Sequence, residues 1–129
     1  MIVGVGVDII EIARMERALE RRPRMTRRLF VDVEIAYCNS KRAARASHFA
    51  GRFAAKEAIA KALGRSLSWH EVVIDREPSG KPRVRLHGRA KEAAAGGSVS
   101  LSISHSRDYA VAYAVFTTDG VGPGGGDRP

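Results

Sequence analysis

Apolar residues recur at helical spacing in several segments of the chain. The longest segment spans residues 46–63, where the apolar side chains share one stripe and Gly64 follows as a helix-ending residue. Three shorter helices are predicted, over residues 9–22, 31–38 and 89–95. Pro23 is expected to stop the first of them, because proline cannot continue a helix. The pattern therefore predicts one long helix and three short ones.

Short apolar and alternating runs predict strands between and beyond these helices. The runs cover residues 2–7, 72–74, 84–86, 99–104 and 109–116. The segment Pro78-Ser79-Gly80-Lys81-Pro82 has the composition of a turn, and the last two runs predict a hairpin. Because strands and helices are interspersed and joined by short turns, we predict an α+β fold with an antiparallel sheet packed around the long helix.

The composition is that of one globular domain. The 129 residues are 44% hydrophobic, enough to bury a core, and a single cysteine excludes an internal disulfide framework. No apolar run is long enough to span a membrane and no signal peptide is visible, so we expect a cytoplasmic protein with no membrane partner. The domain is predicted to cover residues 1–117, and the glycine-rich residues 118–129 are predicted to form a flexible tail.

The charge of the chain indicates acidic partners. It has 22 Lys and Arg against 14 Asp and Glu, a formal net charge of +8. Arg14, Arg17 and Arg21 fall on one face of the predicted helix, which is either a solvated face or a surface that docks an acidic helix. Aromatic residues are absent between Arg14 and Met25, and no nucleic-acid-binding signature is found, so we expect no nucleic acid partner.

Two acidic residues are candidates for chemistry, and each also has an ordinary structural explanation. Asp8 follows the first apolar strand, where it could be a metal ligand or the N-cap of the next helix with Glu11 completing a capping box. Glu57 stands four residues before Lys61 in the long helix, the spacing of a surface ion pair. The small apolar neighbours of Lys56 and Glu57 favour burial instead, where charges need partners such as a metal and an anion.

Two carboxylates without a Cys/His cluster suit a hard cation. Mg²⁺ prefers oxygen ligands and is often held by one or two carboxylates together with substrate phosphates. His105 lies at the predicted turn between the last two strands, where it could contact an anion or simply cap the turn. The other histidines form no constellation in the sequence and are assigned to the surface or to core edges: His48, His70 and His87.

Three motifs stand in order along the chain. They are Gly4-Val5-Gly6-Val7-Asp8-Ile9-Ile10-Glu11, then Arg52-Phe53-Ala54-Ala55-Lys56-Glu57-Ala58-Ile59-Ala60-Lys61-Ala62-Leu63-Gly64, then Gly80-Lys81-Pro82 paired with Ser102-Ile103-Ser104-His105-Ser106. Together they resemble the small holo-(acyl-carrier-protein) synthase type of 4′-phosphopantetheinyl transferase. The resemblance implies transfer of the phosphopantetheine arm of coenzyme A to a serine hydroxyl of an acidic apo acyl carrier protein, with release of adenosine 3′,5′-bisphosphate. It also implies Mg²⁺ dependence and a homotrimer whose sites lie between subunits.

The resemblance also implies roles for individual residues. Asp8 and Glu57 match the Mg²⁺ ligands, and Lys61 matches a basic residue beside the phosphates, so these three are the expected catalytic residues. The expected coenzyme A contacts are Arg52, Lys61, Gly64, Lys81, Pro82, Ser104 and His105. The expected carrier-docking residues are Arg14, Arg17, Arg21 and Arg24.

Several points stay open at the level of sequence. The serine proton could pass to Glu57, to a metal-bound water or to another carboxylate such as Glu34. Family members often have a longer Gly/Thr-rich loop after the residue corresponding to Gly64, whereas only residues 65–69 precede the next strand here, so pocket shape and carrier choice stay open. The pathway that the carrier serves is open as well. Two other interpretations are a basic nucleic-acid-binding module and a catalytically silent trimeric scaffold.

Overall fold

A computed structural model describes residues 1–119 of the chain. The strands are β1 (Ile2–Glu11), β2 (Val72–Arg76), β3 (Pro82–Leu86), β4 (Gly97–His105) and β5 (Tyr109–Thr118). The helices are α1 (Ile12–Arg21), α2 (Pro23–Leu29), α3 (Asp32–Asn39), α4 (Arg45–Leu63) and α5 (Gly88–Ala93). Thr118 is the last residue of β5, and the predicted tail from residue 120 onward lies outside the described residues.

The strands form two antiparallel sheets around α4. One sheet has three strands in the order β1-β5-β4, and the other pairs β2 with β3. Alanines of α4, among them Ala54, Ala58 and Ala62, are buried against Ala112 and Ala114 of β5. Side chains this small let the helix axis approach the sheet closely. The predicted α+β fold around one long helix is confirmed, with the strands divided between two sheets rather than one.

Helix α4 is buried on most of its surface because a second core covers its N-terminal half. In that core Phe49 packs with Phe30, their ring centroids 5.0 Å apart, and with Met15 and Leu19 of α1. The helix ends where predicted, since Gly64 adopts a left-handed conformation with φ 75° that residues with a Cβ rarely tolerate. One element therefore carries both cores, and two of its charged residues, Arg52 and Lys56, are buried with them.

Two sequence-based boundaries differ from the structure. Strand β1 continues past Asp8 to Glu11, which pairs with Tyr109, so the predicted start of α1 at residue 9 is wrong. Asp8 is therefore not an N-cap. Its backbone pairs with Ala112 of β5 in the sheet, and this pairing outweighs the local tendency of Asp8 and Glu11 to cap a helix. Pro23 does stop α1, but it also begins α2, which was not predicted, because proline is well suited to the first turn of a helix.

The outer face of the three-stranded sheet is uncovered by the rest of the described chain. Val7, Tyr113 and Ser102 form one row across it, and the exposed side chains Val3, Val5 and Ile9 continue the β1 edge of this face. On β4 the same face carries serines. A folded chain rarely leaves this many β-branched residues in contact with water on one surface.

Candidate metal and phosphate site

Glycines in β1 bring the first acidic residue against helix α4. Gly4, Gly6 and Asp8 share one face of the strand, because successive residues alternate between faces. A methyl group at Gly4 would overlap the carbonyl oxygen of Ala62, and one at Gly6 would overlap that of Ala58. Glycine is thus required at both positions for the strand to lie directly on the helix. This contact fixes where Asp8 lies along the helix axis.

Asp8, Glu57 and Lys61 come together at this contact. The Lys61 ammonium donates to the backbone carbonyl of Val7 at 3.0 Å and to Asp8 Oδ1 at 3.3 Å. Burial and the neighbouring Asp8 carboxylate raise the pKa of Glu57, while Lys61 lowers it. Among the residues described, the ion-pair partner of Lys61 is therefore Asp8 rather than Glu57, so the simple helical surface pair is not what forms.

The two carboxylates open into a cleft beside the arginine-rich helix. This cleft, with a volume near 670 Å³, is lined by Asp8 and Glu57 on one side and by Arg14, Arg17 and Arg21 on the other. Its floor is apolar and includes Met15, Met25 and Leu29. The three arginines predicted for one helical face do share it, whereas the exposed Arg24 belongs to α2 and does not line the cleft.

The donor set fits a hard divalent cation that is completed by other ligands. Between residues 1 and 119 no group of three or more His, Cys, Asp or Glu side chains could enclose a metal by itself. Asp8 and Glu57 place two negative charges side by side, and burial together with the Asp8 charge raises the pKa of Glu57. Lys61 neutralises this negative charge only in part. Mg²⁺ accepts such sites because it keeps waters and takes further oxygens from substrate phosphates.

A second cluster of predicted residues lies around Tyr37 of α3. The guanidinium of Arg52 is 4.3 Å from the Tyr37 ring centroid, and this residue is only 5% exposed. Its Nε has no hydrogen-bond partner in the described part of the chain. The His48 ring lies 5.6 Å from the Tyr37 ring and 6.1 Å from the His105 ring. The cations Lys41 and Arg76 also face the ring.

This basic cluster and the carboxylate cleft face different sides of α4. Arg52 and Glu57 are five positions apart, which places them about 140° apart around a helix. Lys81 and Pro82 line a separate cleft with Ser102 and Tyr113 on the open face of the sheet. Ser104 and His105 end β4 and are exposed, as is Gly64 at the end of α4. A single chain therefore does not gather all the predicted coenzyme A residues around the two carboxylates.

The carboxylate of Glu34 is held by an ion pair and hydrogen bonds within the fold. Its carboxylate accepts from Lys56 Nζ at 2.8 Å and from the backbone N–H groups of Val31 and Ile74, and both side chains of the pair are buried. Lys56 Nζ also donates to the carbonyl of Trp69. The expectation that buried charges here need a metal and an anion is thus corrected for Lys56, whose partner is Glu34.

Sequence reasoning missed His48 and Tyr37 as members of a cluster. His48 precedes Arg52 by four residues and so shares its helix face, a signal that was available in the sequence. Tyr37 had no such signal, because only the packing of α3 against α4 brings it there.

No helix in residues 1–119 is long and apolar enough to cross a membrane.

Comparison with known proteins gives consistent matches along the chain. Residues 4–114 match the family described as the 4′-phosphopantetheinyl transferase superfamily. A holo-[acyl-carrier-protein] synthase of Moorella thermoacetica is 47% identical over 116 residues, covering 85% of this chain and 90% of that protein. The crystal structure of a Bacillus anthracis holo-(acyl-carrier-protein) synthase in complex with CoA (3′,5′-ADP) matches with TM-score 0.79 and 34% identity, covering 92% of this chain and 99% of that one. The Helicobacter pylori synthase in complex with coenzyme A matches with TM-score 0.78 and 32% identity, covering 88% and 99%.

Proposed function

Because this chain belongs to the 4′-phosphopantetheinyl transferase superfamily, we propose that it transfers the 4′-phosphopantetheine group of coenzyme A to a serine hydroxyl of an apo acyl carrier protein. The observation that carries the proposal is the meeting of Asp8 from β1 and Glu57 from α4 in one cleft bordered by arginines, with Lys61 paired to Asp8. A nucleic-acid-binding module would have no use for two adjacent carboxylates in such a cleft.

Asp8 and Glu57 would hold Mg²⁺, with the diphosphate of coenzyme A and water as further ligands. Such an ion would supply positive charge that offsets the negative charge of the diphosphate and of the adenosine 3′,5′-bisphosphate that leaves. Lys61 is held beside Asp8 and supplies a fixed positive charge to the same phosphates. The chain contributes orientation and charge rather than a nucleophile, which is what phosphoryl-group displacement requires.

The serine of the carrier must lose its proton as it attacks the phosphorus. Glu34 is enclosed by Lys56 and two backbone N–H groups, so it is poorly placed to accept that proton. The proton would pass to Glu57 or to a water in the cleft. The bond between phosphorus and the leaving phosphate oxygen then breaks, and the electron pair stays on adenosine 3′,5′-bisphosphate.

Arg14, Arg17, Arg21 and Arg24 would dock the acidic carrier. All four are exposed, and three of them line the cleft that contains the carboxylates. A positive surface accelerates encounter with an acidic partner and orients it. A serine presented at this surface would enter the cleft directly beside the proposed metal ligands.

The remaining coenzyme A residues favour a site shared between subunits of a homotrimer. Arg52 and His105 would take the 3′-phosphate, the second anionic group of coenzyme A, and Lys81 and Pro82 would lie beside its nucleoside. These residues do not line the carboxylate cleft of their own chain, and an interface between subunits would bring both sets to one ligand. The open sheet face, with Val3, Val5, Val7 and Ile9 more than half exposed, supports association of this kind. Because coenzyme A and carrier are the substrates, we also predict a cytoplasmic location.

Mass spectrometry of an apo carrier incubated with coenzyme A and Mg²⁺ tests the proposal. The carrier should gain the mass of phosphopantetheine. Arg14→Glu should raise the apparent KM for the carrier roughly tenfold while leaving that for coenzyme A nearly unchanged, since it alters encounter and docking. A carrier that gains no mass, across several carriers, would refute the function, and equal effects on both KM values would refute the docking face.

A further inference from the structure

His48 is placed in the basic cluster around Tyr37 with one of its two ring nitrogens already committed. Its Nδ1 lies 2.9 Å from the carbonyl oxygen of Ala44. A carbonyl can only accept, so Nδ1 carries the proton, and in the neutral ring Nε2 is left as an acceptor. Neutral His48 therefore cannot donate a hydrogen bond to a phosphate. Protonation at Nε2 turns it into a donor and adds a positive charge.

His105 differs in this respect. No hydrogen bond to its ring nitrogens is found among residues 1–119, so a neutral His105 is free to present an N–H by choosing its tautomer. The two rings, 6.1 Å apart, thus differ in when they can donate to an anion. His105 can donate in either protonation state, whereas His48 can donate from Nε2 only when it is charged.

The groups that face His48 are cationic. Burial lowers its pKa, and Arg52, Lys41 and His105 lower it further, while the bond to Ala44 raises it. Tyr37 of α3 packs edge-on against the His48 ring, and the guanidinium of Arg76 of β2 lies 4.8 Å from the centroid of the Tyr37 ring. Arg45 of α4 donates a hydrogen bond to the side chain of Asn39. An anion bound in the cluster would raise the pKa of His48, because the negative charge of a phosphate favours the charged ring.

We propose that His48 makes the recognition of the 3′-phosphate of coenzyme A pH-dependent, by donating from Nε2 to that phosphate only when its ring is protonated. This inference rests on the proposed function, which assigns Arg52 and His105 to the 3′-phosphate. Binding of coenzyme A would then take up a proton at His48. The preference for coenzyme A over dephospho-coenzyme A, which lacks the 3′-phosphate, would strengthen as the pH falls.

Isothermal titration of the full chain with coenzyme A and with dephospho-coenzyme A, both with Mg²⁺, measures this preference as a ratio of Kd values. His48→Asn keeps a donor near the Nδ1 position and has no group at Nε2. It should lower the ratio about fivefold near pH 6 and leave it nearly unchanged near pH 8, the size expected for one charge-assisted hydrogen bond at a half-exposed site. His48→Arg, which stays charged, should keep a high ratio at both pH values. The ligand phosphate titrates identically for every variant, and the exposed His87→Asn serves as the matched control.

Titrations in buffers of different ionisation enthalpy count the protons taken up. The wild type should take up a fraction of a proton with coenzyme A near pH 7, and His48→Asn should take up less. Equal proton uptake and equal ratios in wild type and His48→Asn would overturn the inference while leaving the proposed function intact. Failure of all the proteins to bind coenzyme A at any pH would overturn both. If His48→Asn does not fold, His48→Arg decides: a ratio that varies with pH as in the wild type overturns the inference.

Discussion

Glu57 is held in a position where its negative charge is unfavourable without a bound cation. Burial and Asp8 raise its pKa, so the folded state binds a proton at Glu57 more tightly than the unfolded state does. The stability that this group contributes is therefore present below its unfolded pKa and is lost as the pH rises through its folded pKa. At neutral pH the ionised side chain is a local destabilising element, which is typical of residues retained for function rather than for stability.

Glu57→Gln should therefore stabilise the metal-free protein at neutral pH while abolishing transfer. We expect Tm to rise by roughly 1–3 °C, because an isosteric amide removes the charge but keeps the packing. Thermal unfolding with EDTA measures this, with the exposed Glu92→Gln as the control that leaves Tm unchanged. A lower Tm for Glu57→Gln would show that the ionised carboxylate stabilises the fold by itself.

The structure brings Asp8, Glu57 and Lys61 together, although their local patterns alone favour an N-cap and a surface ion pair. These residues were chosen as a set because the three motifs resemble one family. The N-cap interpretation of Asp8 failed because a strand ladder with β5 continues to Glu11, and that pairing is invisible locally. Tyr37 could not be predicted for the basic cluster, since the contact depends on how α3 packs on α4.

At the scale of elements, the contact between β1 and α4 determines the carboxylate geometry. The helix could be predicted almost residue by residue from its periodicity and from Gly64, and the strand from its apolar run. Their direct contact could be predicted only in part from Gly4 and Gly6. These glycines indicate that another part of the chain approaches β1 closely, but they do not identify α4 as that part. The buried pair of Glu34 and Lys56 fixes the other side of α4, since it ties the helix to α3, to β2 and to Trp69.

Gly6→Ala should separate β1 from α4 and so disturb both stability and the site. Because the methyl group would overlap backbone rather than a flexible side chain, we expect a loss of about 2–4 kcal/mol in the free energy of unfolding. Urea denaturation measures it. Gly51→Ala in α4 is the matched control: its methyl group would meet only the Ile103 side chain, at 3.0 Å, so its effect should be much smaller. Equal effects would mean that the strand–helix distance is not critical.

At the scale of the whole molecule, the proposed trimer would account both for the uncovered sheet face and for the separation of the predicted coenzyme A residues. The apolar side chains of β1 alternate with the glycines and Asp8 that face α4, so one strand would serve the interface on one side and the site on the other. No single-chain pattern predicts this arrangement, because exposed valines in a strand look the same in sequence as buried ones.

Val7→Lys should dissociate the proposed trimer and abolish coenzyme A binding although Asp8, Glu57 and Lys61 are intact. A charge on this face must lose its water in any interface that covers it. Light scattering after size exclusion gives the mass, and calorimetry the binding. Val33→Lys is the control, because Val33 on α3 is similarly exposed, at 50% against 53% for Val7. A monomeric variant that still binds coenzyme A normally would show that the site is complete in one chain.

The Mg²⁺ dependence of coenzyme A binding, measured by calorimetry, tests the proposed metal site at Asp8 and Glu57. If Asp8 and Glu57 hold one ion that contacts the diphosphate, Mg²⁺ should tighten binding to the wild type at least tenfold. Asp8→Asn and Glu57→Gln should each remove that increment, whereas Asp32→Asn, which changes an exposed carboxylate that does not line the cleft, should retain it. An undiminished Mg²⁺ increment in either site variant would contradict the account.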